Sequence, residues 1–173
     1  MRKIIIGFSK PKNKVFPIFS LLIRLVERTE FSHVFVKMDS ASLGTTLIYQ
    51  ASGTQVNFMG LKQFEDAAHI HSEFEFEVSD ETYREFLRWA VREAGTPYGL
   101  KPVLGILAVK WFNLGRNPFS DGSKTWFCSE LGARVLKGFV GVHISEKELE
   151  TAGPKKIYEI CVKLKEDMWQ KKL

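Results

Sequence analysis

Four segments with strand patterning follow one another between Phe31 and Val78: FSHVFVKM, TTLIYQA, TQVNFMG and HIHSEFEFEV. The first is rich in Val and Phe. The second and third are separated by a Ser52-Gly53 turn signal, which predicts a hairpin. The last alternates Phe with Glu over its second half, so one of its faces is wet. A fifth run, RKIIIGFS, opens the chain with β-branched residues and reads as a buried strand. Helical spacing stands before and after this series. Ile18, Leu21, Leu22, Leu25 and Val26 repeat after Pro17, a residue suited to a first helical turn. Tyr83, Phe86, Leu87, Ala90, Val91 and Ala94 repeat behind a Ser79 or Asp80 cap and stop at Gly95 and Pro97. Strands in series flanked by helices predict an α+β fold, an antiparallel sheet packed against helices.

With 173 residues, 45% of them apolar, the chain can bury one sizeable core, and one domain over 1–173 is expected, with a charged C-terminal tail from about 165. No repeat or low-complexity tract divides it. The formal charge is +5, with Lys and Arg thickened at both ends and not gathered in one block. That reads as solvated termini, and nucleic acid is not an expected partner. Three isoleucines between Lys3 and Gly7 are too short for a signal-peptide core. The run from Val103 to Phe112 is about ten residues, against the ~20 that span a bilayer. A cytoplasmic protein is therefore expected, and a phage-encoded product would suit the small basic chain. VLGILAVKWFNLG reads first as an ordinary core helix, with an apolar ligand or a membrane surface as the other reading.

Two cysteines make no disulfide framework. Cys161, in IYEICVKL, reads as buried and inert. Cys128 is different, because KTWFCSELGARVL reads as a helix start. Thr125 stands where a cap is needed, and Leu131, Val135 and Phe139 form one apolar face. In the first turn, free backbone N–H groups and the helix dipole favour a thiolate, lower its pKa and offer an oxyanion site. By position alone two roles stand: a packed thiol or a nucleophile. A nucleophile needs a base. His33 lies in the FSHVFVKM strand, on the face assigned to Phe31 and Phe35, where an imidazole needs a hydrogen-bond partner or a task. Gln50, in LIYQAS, could orient it through its side-chain oxygen. His69 and His71 share a face but have no third ligand nearby, so no metal and no cofactor are expected. His143 falls in a loop.

Together, FSHVFV, IYQASGTQV, TPYG and WFCSELGARVL resemble the permuted papain-like branch of the NlpC-type superfamily, which includes YiiX-like hydrolases and the lecithin:retinol acyltransferase group. The resemblance spans roughly residues 28–140. It implies a circularly permuted papain-like fold, with Cys128 as nucleophile, His33 as general base and Gln50 as the third polar residue. The family often has Glu or His at that third position, so Gln50 is a departure. Tyr98 matches a tyrosine of a Pro-Tyr-acid motif, with Gly99 in place of the acid. Tyr98 and Ser129 are thereby assigned to support of the substrate or the oxyanion. The activity implied is that of a thiol hydrolase or acyltransferase acting on a peptide or lipid-like amide, ester or thioester. The alternative is a non-catalytic binding module with a vestigial Cys-His pair.

Overall fold

The computed structural model describes residues 1–12, 17–40, 44–120 and 124–170. Five strands form one antiparallel sheet in the order β4-β3-β2-β1-β5. They are β1 (Arg2–Pro11), β2 (His33–Ser40), β3 (Thr45–Ser52), β4 (Gln55–Gly60) and β5 (Ala68–Val78). The apolar run of the first segment makes β1 a central strand, paired with β2 on one side and β5 on the other. Residues 53 and 54 turn the β3–β4 hairpin, with Gly53 in the left-handed region at φ 66°, and this register sets Gln50 opposite Asn57. One aromatic ring lies closely on the sheet. Phe35 on β2 lies over Gly7 of β1, where any side chain would collide with the ring.

The helices are α1 (Pro17–Glu27), α2 (Leu61–Ala67), α3 (Asp80–Glu93), α4 (Leu100–Phe112), α5 (Cys128–Val135), α6 (Glu146–Thr151) and α7 (Pro154–Gln170). α5 runs on into a π-helical turn at Leu136–Val140. Ser79 caps α3, its Oγ accepting from the Thr82 N–H at 3.0 Å. Gly95 ends the helix at φ 92°. Ser145 and Glu148 form a reciprocal capping box on α6. The main core joins Ile4, Ile6, Phe8, Val34, Val36 and Tyr49 of the sheet to Phe86 of α3, Leu131 of α5 and Ile157 of α7. A smaller cluster, Phe35, Ile48 and Phe64, holds α2 against the sheet.

The architecture is thus α+β with an antiparallel sheet, as the strand series predicts. Three local expectations fail. The seven-residue helix α2 is not visible in the sequence pattern, because a single buried residue, Phe64, anchors it. The last segment is one helix, α7, which continues through Gln170, so the charged stretch from 165 is helical up to there. α4 is not an ordinary core helix: Val103 and Ile106 are buried, but Leu104, Trp111 and Phe112 are exposed. Its apolar residues encircle the helix instead of forming one stripe, and only one side meets protein. Asp121, Gly122 and Ser123 of the loop before α5 lie outside the described residues.

Candidate active site

Cys128 is the first residue of α5, and Phe127 is its cap. Thr125 does not cap it. Residues 126 and 127 are extended, because Trp126 bridges Tyr98 in a two-strand contact. The Trp126 N–H donates to Pro97 O at 2.9 Å, and the Gly99 N–H donates back to Trp126 O at 2.9 Å. Thr125 packs instead against Gly99, where an added Cβ would lie 2.7 Å from its Oγ1. The Trp126 ring is stacked on Trp89 and covered by the Arg134 guanidinium, 4.9 Å from its centroid. Arg134 is held in turn by the buried Glu130 at 2.6 Å. This fixes the chain on both sides of the cysteine. The first intrahelical bond runs from the Leu131 N–H to Phe127 O, so the N–H groups of residues 128–130 precede the helical ladder.

The thiol sits where the sheet opens. The β2–β3 ladder ends at Val36 opposite Tyr49. Continued, it would pair Val34 with Ala51; instead the Val34 N–H points at Cys128. The thiol donates to Ser32 O at 4.0 Å. Ser32 is itself pinned: its N–H donates to Ser9 O at 3.0 Å, and its hydroxyl is 2.7 Å from that of Ser20 on α1. Gly132, one turn into α5, lets the helix lie on β2; a Cβ there would be 2.7 Å from Val34 Cγ1.

His33 and Gln50 span the same opening from β2 to β3. Their side chains are joined by a 2.8 Å bond between Nε2 and Oε1. The Gln50 amide is oriented by its own nitrogen, which donates to Asn57 Oδ1 at 3.5 Å and approaches Met59 Sδ at 3.8 Å. Because Oε1 can only accept, the imidazole proton is on Nε2 and Nδ1 carries a lone pair. His33 shares its face with Phe35, and both stand near Phe64. Phe31 does not share that face. It lies before the strand begins and packs with Phe8 and Tyr158.

Both reactive groups are neutral at rest. Burial pushes the Cys128 thiol up to about 11, although the N–H groups of Val34, Ser129 and Cys128 itself pull it partway back. The expectation of a lowered thiol pKa at the helix start therefore fails: removing the sulfur from water outweighs the backbone donors. Burial lowers the half-buried His33 to about 4, against a smaller rise from its Gln50 bond. Among the described hydrogen bonds none joins the imidazole to the sulfur. Tyr98 is placed beside the site by the bridge to Trp126, and its hydroxyl pKa is raised by burial and then by the Cys128 charge. Ser129 is buried directly after the cysteine.

The other titratable candidates lie elsewhere. Cys161 is fully buried in α7, and burial pushes its thiol up to about 12. His71 stacks near Phe31 and Tyr158 at the far end of β5. His69 and His143 are exposed. Among the described residues no three His, Cys, Asp or Glu side chains are grouped as metal ligands, and no helix is long and apolar enough to cross a membrane. Asn57, Met59 and Ser32 were not legible as site residues singly. The hairpin register fixed by the Ser52-Gly53 turn would have paired Asn57 with Gln50. The chain matches no protein-family model and no curated protein.

Proposed function

We propose that the protein is a cysteine-dependent hydrolase or acyltransferase of the permuted papain-like kind, acting on an amide, ester or thioester. The observation that carries this reading is the His33–Gln50 bond at the sheet opening that receives Cys128. It fixes the imidazole tautomer that leaves Nδ1 free to take a thiol proton. In the first half-reaction Nδ1 takes the Cys128 proton, and the sulfur adds to the substrate carbonyl. The oxyanion is met by the N–H of Cys128 at the helix start, with Ser129 and Tyr98 beside it. The C–N, C–O or C–S bond then breaks, and the imidazolium returns its proton to the leaving group. In the second half-reaction Nδ1 deprotonates water or another acceptor. That acceptor attacks the acyl-sulfur carbonyl and restores the thiol.

Along the chain these groups come in the order His33 on β2, Gln50 on β3 and Cys128 at the start of α5, which supports the permuted arrangement. The test is acyl-enzyme trapping. Incubation with activated ester and thioester substrates, followed by intact mass spectrometry and peptide mapping, should place one acyl group on Cys128 in the wild type and none in Cys128→Ala. An acyl group on Cys161 or on lysines alone would remove the catalytic reading. One observation favours a second reading, a ligand-binding module with a vestigial pair: the thiol is buried and neutral. Under that reading Cys128→Ala keeps ligand binding, and no acyl-enzyme forms with any substrate.

A further inference from the structure

Nine of the thirteen exposed large apolar side chains among the described residues come from α1, α4 and the segment just after α4. On α1 they are Ile18, Leu21 and Leu25, spaced i, i+3 and i+7 on one side of the helix. On α4 they include Leu104 and Trp111, seven residues apart on one side, with Phe112 beside them. Trp111 is 71% exposed and Phe112 is 69% exposed. The two helices pack together through their other sides. Ile23 meets Val103, Ile106 and Phe127, and Lys110 forms an ion pair with Glu27. The two outward rows therefore point away from each other, and the row on α4 is continued by Leu114 and Phe119 just after the helix.

Along α4 and the segment after it the charge has one sign. Residues 97–120 contain no Asp or Glu, and they carry Lys101, Lys110 and Arg116. Residues 17–29 carry Arg24, Arg28 and a single acid, Glu27, which is buried under Lys110 and also accepts from the Lys155 N–H at 2.8 Å. Arg28, Lys101 and Arg116 are exposed. The neighbouring α6 is acidic: Glu146 pairs with Lys137 at 2.5 Å, Glu148 is held in the Ser145 capping box, and Glu150 is half-buried where its carbonyl accepts from Asn117. Two copies of such a cationic face would repel each other. An anionic bilayer would take both parts, the phosphates meeting the cations and the acyl region receiving the aromatic and leucine side chains.

We infer that the outer side of α4 and the segment after it dock on an anionic lipid bilayer, with Trp111 and Phe112 inserted at the interface. Phe127, which packs with Val103 and Ile106 on the inner side of α4, directly precedes Cys128, so docking would hold the start of α5 behind α4. The docking does not rest on the catalytic reading: Cys128→Ala should bind vesicles as the wild type does. The experiment is co-sedimentation of the full chain with phosphatidylcholine vesicles, with and without phosphatidylglycerol. Binding should require phosphatidylglycerol and weaken as salt rises. Trp111→Ser with Phe112→Ser should lose roughly tenfold or more in affinity, whereas Leu21→Ser with Leu25→Ser, on the far side of α1, should change it little. Val91→Ser, an exposed apolar site on α3, should lose nothing. Brominated lipid should quench wild-type tryptophan emission more than that of Trp111→Phe, a reading that survives if the serine variants misfold. No binding to phosphatidylglycerol vesicles, equal quenching in the two proteins, or self-association through this face in place of vesicle binding would each overturn the inference.

Discussion

His33 supplies a stability signal that separates its burial from every other acid-sensitive group. In the folded chain its pKa is lowered to about 4 from an ordinary 6.5, with desolvation as the main cause. Below 6.5 the unfolded chain takes up a proton that the folded chain refuses until about 4. The unfolded state therefore gains, and stability falls as pH drops through this window. Each unit of difference corresponds to about 1.4 kcal/mol, so His33 should remove roughly 2–3 kcal/mol between pH 6.5 and pH 4.5. The lowered carboxyls of Glu75, Glu146 and Glu148 act in the same direction, but only below their ordinary 4.5. The perturbation is His33→Gln, which cannot titrate but can still donate to Gln50 Oε1. Urea unfolding followed by tryptophan emission, at several values from pH 7 to pH 4.5, gives both curves. The wild type should lose about 2–3 kcal/mol more than the variant over this range. Parallel curves would refute the reasoning, because they would mean that His33 titrates alike in the folded and unfolded chains.

The thiol gives a complementary test: with a pKa of about 11, Cys128 alkylation by iodoacetamide should keep rising about tenfold per pH unit to pH 9.5. A plateau near pH 8 would show an ordinary thiol, and peptide mapping against the more deeply held Cys161 supplies the internal control. Gln50→Leu leaves the His33 Nε2–H without its acceptor, so urea unfolding should report a loss of about 1–3 kcal/mol. Gln50→Glu places a carboxylate on that proton and should raise the His33 pKa by ~1–3 units, read by NMR titration of the imidazole. Gly132→Ala pushes a Cβ against Val34 Cγ1 and should cost about 1–3 kcal/mol by lifting α5 from β2, also read by urea unfolding.

How far these residues could be read in advance depends on the kind of interaction that holds them. The strands were legible because period-two patterning and the Ser52-Gly53 turn are local properties. α3 was legible because its cap, its apolar face and its stop all agree. α2 was not, since seven residues with one buried side chain carry no period. The pairing of His33 with Gln50 was open to sequence reasoning through the resemblance, but the groups that hold it were not. Asn57 enters through strand register, and the Val34 N–H enters only because the β2–β3 ladder stops at Val36. The direction of the Cys128 pKa was misread for a related reason. A helix start is visible in sequence, whereas the depth to which the sheet and α5 enclose the sulfur is a tertiary quantity.

α4 was misread in the opposite sense. Its apolar composition speaks for burial, but burial requires a neighbour on each side, and α1, α6, Asn117 and Phe127 cover only its inner side. A helix that is apolar all round and covered on one side either finds another partner or leaves its outer surface in water. Here the outer surface carries Trp111 and Phe112 at one end, cations around it and no outward carboxylate from either helix. The buried Glu27 links this feature to the sheet opening. It holds Lys110 of α4 and the backbone of α7, and its charge is among the influences that raise the Cys128 pKa. Any displacement of α4 that drew Lys110 away would leave Glu27 with an unpaired buried charge, which disfavours a thiolate further. The ion pair therefore ties the position of the exposed helix to the ionisation of the sulfur. Lys110→Met should accordingly slow Cys128 alkylation at pH 9 while leaving the Cys161 rate unchanged, and equal slowing of both cysteines would show a general effect on packing instead.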